Sequence, residues 1–175
     1  MAHYELRPFA LAEAETVASW AASLDDRRDL DGSSQPLTAD DVAVWTMETN
    51  WAFTLRRDGD LVAYGEVVED EVENDVEIQH ILVAPDMRRA GVGQALVSRL
   101  CAFLAASRPY REVWLRAGRQ NEALLACARA VGFSEVDGMS GPRYQWLRKS
   151  LARLPASDLG GVERPPAPNS GGAGS

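Results

Sequence analysis

The stretch from Val83 to Leu96, VAPDMRRAGVGQAL, constrains the fold more than any other part of the chain. An apolar run ends at Val83, and an amphipathic run begins at Val92. Paired arginines, Arg88 and Arg89, and two glycines, Gly91 and Gly93, lie between them. The pattern reads as a strand turning directly into a helix. Glycines let the backbone turn sharply and approach a ligand, and the first N–H groups of a helix lack partners. Such a joint is an anion site, and a phosphate-bearing ligand is expected there.

The chain has 175 residues, of which 46% are hydrophobic, enough for one domain with a sizeable core. No apolar stretch approaches the roughly 20 residues that span a bilayer, so no membrane is expected. MAHYELRPFA at the N-terminus lacks an apolar signal region. Cys101 and Cys127 both fall within helical patterns and suit a reducing compartment. A cytoplasmic protein is the expectation. The net charge of −8 argues against nucleic-acid binding and is compatible with a cationic partner.

Along the chain, Tyr4 to Arg7 reads as a strand and Leu11 to Ser23 as a helix, with Asp25 to Pro36 irregular. Thr38 and Asp41 form a capping box at the start of a second helix. Ala52–Arg57 and Leu61–Val68 read as strands joined by an Asp58-Gly59 hairpin turn, and Val76–Val83 as a third strand. From Val92 to Ser107 a helix carries Val92, Leu96, Leu100, Phe103 and Leu104 on one stripe. Val113–Leu115 is a short buried strand. Asn121 caps a helix that runs to Val131 and stops at Gly132. Phe133–Val136 and Arg143–Leu147 close as an antiparallel pair. Nine of the 21 residues from Pro155 to Ser175 are Gly or Pro, and a disordered tail is expected there. The fold class is α/β (α+β). A single domain over residues 1–154 would hold a mixed, mostly antiparallel sheet of about seven strands and about four helices, with residues 155–175 as tail.

Two phosphate-loop templates fail. No Gly-x-x-x-x-Gly-Lys-Ser/Thr string exists, and the dinucleotide fingerprint would need a small residue where Leu96 stands. What remains is Arg88-x-x-Gly91-x-Gly93 between a strand and a helix. This segment resembles the pyrophosphate motif of the GNAT superfamily of acetyl-CoA-dependent N-acetyltransferases, Gln/Arg-x-x-Gly-x-Gly/Ala. ILVAPDM before it is similar to the family's hydrophobic-x-Val-x-Pro lead-in. Asn121, eleven residues before Gly132-Phe133, resembles the family's Asn…Gly-Phe segment. The element order also agrees, and the resemblance covers about Tyr4 to Leu151.

The resemblance implies acetyl-CoA as co-substrate and no metal. Backbone N–H groups of Arg88, Arg89, Ala90, Gly91, Val92, Gly93 and Gln94 would cradle the pyrophosphate, with the Arg88 or Arg89 side chain able to join them. Leu82 and Val83 would hydrogen-bond the pantetheine arm, which in this family lies between the fourth and fifth strands. Asn121 would touch the far part of that arm. The family's tyrosine, seven residues after the Asn, is Ala128 here, which leaves its general-acid role vacant, with Tyr144 as a distant substitute.

An alkylammonium must lose a proton before it can attack a thioester. Glu77, six residues before Val83 and about 20 Å along an extended strand, is the first candidate base. His80 is the second, because imidazole basicity suits the task. From Glu66 to Glu77 there are seven acids and no base, which suggests an acidic approach for a cationic acceptor. A solvated hairpin is the plainer reading of the same residues. Trp20 and Trp45 are expected to pack in the core, or to line the acceptor pocket that this family builds from its N-terminal half; Trp51, which begins a strand, is excepted from the core-packing preference. The expected activity is acetyl transfer to a small cationic amine, aminoglycoside-like or a polyamine, by direct attack in a ternary complex. The alternatives are a protein lysine or N-terminal acetyltransferase and a non-enzymatic acyl-CoA-binding module. The resemblance also allows a homodimer.

Overall fold

A computed structural model describes residues 3–21, 23–48, 51–70, 72–107 and 110–151 of the chain. The stretch expected to form a tail, 155–175, lies outside the described residues. Seven strands form one sheet: β1 (Tyr4–Pro8), β2 (Trp51–Arg57), β3 (Asp60–Asp70), β4 (Asp75–Val83), β5 (Glu112–Gly118), β6 (Ser134–Glu135) and β7 (Tyr144–Ser150). Their spatial order is β1-β2-β3-β4-β5-β7-β6, and every neighbouring pair is antiparallel except β4 and β5. A parallel pair needs a crossover. Here it is α4 (Val92–Ser107), entered through the Arg/Gly loop.

Local chemistry sets several boundaries. Asp58 and Gly59 both have positive φ, 52° and 99°, as a two-residue hairpin turn whose twist matches its strands requires. Thr38 and Asp41 cap α3 (Ala39–Glu48) reciprocally: the Asp41 N–H donates to the Thr38 hydroxyl at 3.2 Å, and the Thr38 N–H donates to the Asp41 carboxylate at 2.9 Å. These bonds hold the Asp41 carboxyl below the usual range, with Arg27 adding to the effect. Asn121 caps α5 (Glu122–Val131) by accepting the Leu124 N–H at 3.0 Å, and Gly132 ends that helix at φ 97°.

Helices α4 and α5 cover one face of the sheet. The α4 stripe of Val92, Leu96, Leu100, Phe103 and Leu104 is buried there against β-strand residues such as Phe53, Ile78 and Leu115. A smaller core on the other face joins α1 (Ala14–Ser19) and α3 to Tyr64 and Leu82. Trp20 belongs to that core, and Trp51 packs edge-on against Phe103.

One element departs from expectation. Asp25 to Pro36, read as irregular, contains helix α2 (Leu24–Asp31). Its sequence, LDDRRDLD, carries no apolar stripe. Tertiary contact supports it instead. Arg27 is buried, pairs with Asp41 of α3 at 3.1 Å and stands over the Trp45 ring.

Candidate active site

Strands β4 and β5 pair at only three positions, Val76–Val113, Glu77–Trp114 and Ile78–Leu115, and then part. From Gln79 to Val83 the β5-facing edge of β4 has no strand partner. A groove of about 570 Å³ fills the gap. Gln79 to Val83 form one wall, and Arg116, Gly118, Asn121, Leu124 and Cys127 the other. One end meets the start of α4, and the other reaches Glu77 and His80.

The α4 end is built to hold an anion. The first helical bond runs from the Ala95 N–H to the Gly91 carbonyl at 3.0 Å, so the N–H groups of Gly91, Val92, Gly93 and Gln94 have no partner within the helix. Gly91 adopts φ 78° and Arg89 φ 63°, a left-handed pair that folds the loop back onto the helix start. Gly93 lies against α5 and β4; a Cβ there would touch Cys127 at 3.6 Å and Val83 at 3.7 Å. Of the ten residues expected to contact the donor, all but Ala90 line the groove. Ala90 is exposed outside it because the Arg89–Gly91 turn carries it away. Arg88 donates through its guanidinium to the carbonyls of Trp20, at 2.6 Å, and Val83, at 3.3 Å. It therefore ties the loop to the end of α1, and Arg89, also exposed, lines the groove beside it.

The other end is shaped by a β-bulge. Tyr64 pairs with Leu82, but Glu66 pairs with Gln79, so Gly65 faces two residues, His80 and Ile81. His80 carries the distortion at φ 46°, rare for a residue with a side chain. The bulge switches the strand's faces. Val76 and Ile78 enter the α4-side core before it, and Ile81 and Val83 do so after it. Gly65 is tightly covered on that side, where a Cβ would stand 3.2 Å from Leu96. His80 is thereby turned toward α3, where its ring stacks on Trp45 with centroids 3.9 Å apart and planes 13° apart. Its Nδ1 lies 2.7 Å from the carboxyl of Glu66, which is fully buried and also accepts the Tyr64 hydroxyl.

Glu77 is half-buried on the same groove. Burial pushes its carboxyl above the usual range, while the Gln79 amide and the charges of Arg116 and His80 pull the other way. Leu30 and Tyr144 also line the groove, and the Tyr144 hydroxyl lies where a Cβ on Gly32 would approach it to 3.0 Å. The Cys127 thiol is pushed up to about 11 by burial, so it is not a nucleophile at neutral pH. Ala128 is buried in the core, and Tyr144 is the phenol on the groove wall.

The model of the acetyltransferase (GNAT) family matches residues 15–133. The chain belongs to the GNAT family. Solved GNAT structures share the fold at low identity. A spermidine N-acetyltransferase from Vibrio cholerae, in complex with CoA and spermine, aligns at 12% identity and TM-score 0.71, over 85% of this chain and 95% of that one. An aminoglycoside acetyltransferase in complex with coenzyme A gives 16% and 0.69, over 85% and 95%. The ribosomal-protein-S18-alanine N-acetyltransferase from Escherichia coli gives 19% and 0.63, over 87% and 97%. No curated protein matches the sequence significantly. Family membership makes this chain an acetyl-CoA-dependent N-acetyltransferase. The unpaired α4 N–H groups and the open β4 edge suit the pyrophosphate and the amide-bearing arm of that co-substrate. No helix among the described residues is long and apolar enough to cross a membrane.

Sequence reasoning missed the role of Glu66, which it counted among the seven acids of the β3–β4 hairpin, read as an acidic approach or a solvated turn. A signal was present: Glu66 is the single acid within the apolar run LVAYGEVV, and an acid buried in a strand needs partners. Its partner, His80, is brought close by the bulge.

Proposed function

We propose that this GNAT protein moves the acetyl group of acetyl-CoA to a small cationic primary amine, aminoglycoside-like or a polyamine, by direct attack in a ternary complex. The observation that carries the reading is the parted β4–β5 seam. It joins unpaired α4 N–H groups at one end to Glu77 and His80 at the other. The donor would lie along the seam with its pyrophosphate on the loop from Arg88 to Gln94. Leu82 and Val83 would bond its arm, and Asn121 would flank it. The amine would meet the thioester beside Glu77 and His80.

Two features favour a small acceptor of positive charge. Leu30 of α2 and Tyr144 of β7 are among the side chains that line a groove of about 570 Å³, a volume that restricts bulky partners. Asp70 and Glu73 are exposed at the tip of the β3–β4 hairpin, and Glu69 and Asp75 are partly exposed beside them. With Glu66 withdrawn into the interior, the field that draws a cation comes from these acids and from Glu77.

The test is release of free CoA from acetyl-CoA with a panel holding spermidine, an aminoglycoside, a lysine peptide and a peptide with a free N-terminal alanine. Turnover with the polyamine or the aminoglycoside is expected. Turnover with the peptides alone would show a protein acetyltransferase. Tight CoA binding with no turnover would show a binding module.

A further inference from the structure

Acetyl transfer to an ammonium substrate needs a place for one proton, and two groups at the acceptor end could take it. We infer that His80 is the proton acceptor and that buried Glu66 is the residue that positions it, leaving Glu77 to hold the ammonium. The inference rests on the acetyl-transfer reading of the groove.

Glu66 is 0% exposed and lies on the interior side of the imidazole. Its first oxygen accepts the Tyr64 hydroxyl, and its second faces Nδ1 of His80 at 2.7 Å. A carboxylate has lone pairs and no proton to give, so the hydrogen belongs on Nδ1. That choice leaves Nε2 with a lone pair. Nε2 has no hydrogen-bond partner among the described residues, and His80 lines the groove. Trp45 stacked on the ring blocks its rotation, and the bulge at φ 46° fixes its point of attachment. A strained backbone, a buried carboxylate and an aromatic clamp thus all act on one side chain. Packing alone would call for none of the polar partners.

The step balances as follows. The ammonium gives one proton to Nε2, and His80 becomes an imidazolium held against Glu66. The freed amine lone pair forms the C–N bond at the thioester carbon, and the C–S bond breaks. The second nitrogen proton goes to the departing sulfur, giving CoA thiol. The imidazolium proton then passes to solvent. Glu77, on the same groove, offers a carboxylate to the ammonium before this exchange.

The experiment combines long-range proton–nitrogen NMR with kinetics. The chain has two histidines, His3 and His80, so the ring signals separate once His3→Gln is made. The wild-type His80 ring should be protonated on Nδ1 and bare on Nε2. His80→Ala should lower kcat by about 10²-fold or more, the range for a general base, while KM for acetyl-CoA stays close to wild type. Glu66→Gln should lower kcat and move the ring toward the Nε2-protonated tautomer, whereas a purely structural loss would leave the tautomer of the folded fraction unchanged. An Nε2-protonated ring in the wild type would overturn the inference, and that measurement needs no Glu66 variant to fold. Wild-type kcat in His80→Ala would overturn it as well. Absence of turnover with every amine in the wild type would instead count against the function, and the tautomer would still decide the role of Glu66.

Discussion

Replacing Gly91 with alanine probes the donor loop through the backbone alone. A Cβ at this position would meet nothing within 4 Å, so no clash contributes. The backbone sits at φ 78°, where an L-residue is disfavoured by about 1–2 kcal/mol. The loop can keep its shape and carry that strain, which lowers stability. Otherwise it can relax and turn the N–H groups of Gly91 and Val92 away from the ligand. One charge-assisted hydrogen bond to phosphate is worth about 1.5–3 kcal/mol, or roughly 10- to 150-fold in Kd. Gly91→Ala should therefore weaken CoA binding by about 10-fold or more, lower Tm, or do both in part. Gly59→Ala is the control, because it carries a comparable positive φ of 99° with no clash in the β2–β3 turn and does not line the groove. Calorimetric titration with CoA and thermal melting read both effects. Wild-type Kd and Tm in Gly91→Ala would refute the assignment of this loop as the pyrophosphate cradle.

Glu77→Gln should cut kcat/KM for the amine at least about 10-fold and leave CoA affinity intact, since a hydrogen bond to a charged group is removed. Because burial raises this carboxyl in the fold, its stabilising share is complete below the unfolded pKa and is lost as pH rises through the folded one. Glu77→Gln should therefore melt higher than wild type near pH 7 and converge with it in acid; a lower Tm at neutral pH would contradict this. Arg88→Ala should lose about 1–2 kcal/mol of stability with its bonds to Trp20 and Val83, while Arg89→Ala should weaken CoA binding and flatten its salt dependence. The reverse pattern would return Arg88 to the phosphate. Cys127→Ala should keep wild-type kcat, because a thiol near 11 supplies almost no thiolate at neutral pH; loss of turnover with CoA binding intact would reopen a covalent route.

Much of this fold could be read from local sequence. The Asp58-Gly59 turn, the Thr38–Asp41 capping box, the Asn121 cap with Gly132, and the α4 stripe are each set by a few neighbouring residues. The strand-to-helix joint was legible for the same reason. Its glycines and the helix start are contiguous, so the turn from Arg88 to Gln94 could be read as one unit. Helix α2 was not legible, because a polar octapeptide held by Arg27 on Asp41 has no periodicity to detect. The Glu66–His80 contact was hidden for a related reason. Strict alternation along β4 would place His80 with Ile78 in the α4-side core. A one-residue bulge turns it to the opposite face, and such a slip reverses every later side chain. Arg88 shows the converse limit: the sequence suggests an arginine facing a phosphate, while its bond to Trp20, 68 residues earlier, exists only once the chain has folded.

The most direct test of the whole account is the rate of CoA release from acetyl-CoA, matched against the acetylated amine formed, when purified protein meets spermidine, an aminoglycoside and the two peptides side by side. Stoichiometric CoA release with the polyamine or the aminoglycoside, and little with the peptides, is the predicted result. Preference for a peptide, or no release with any amine despite tight CoA binding, would contradict it.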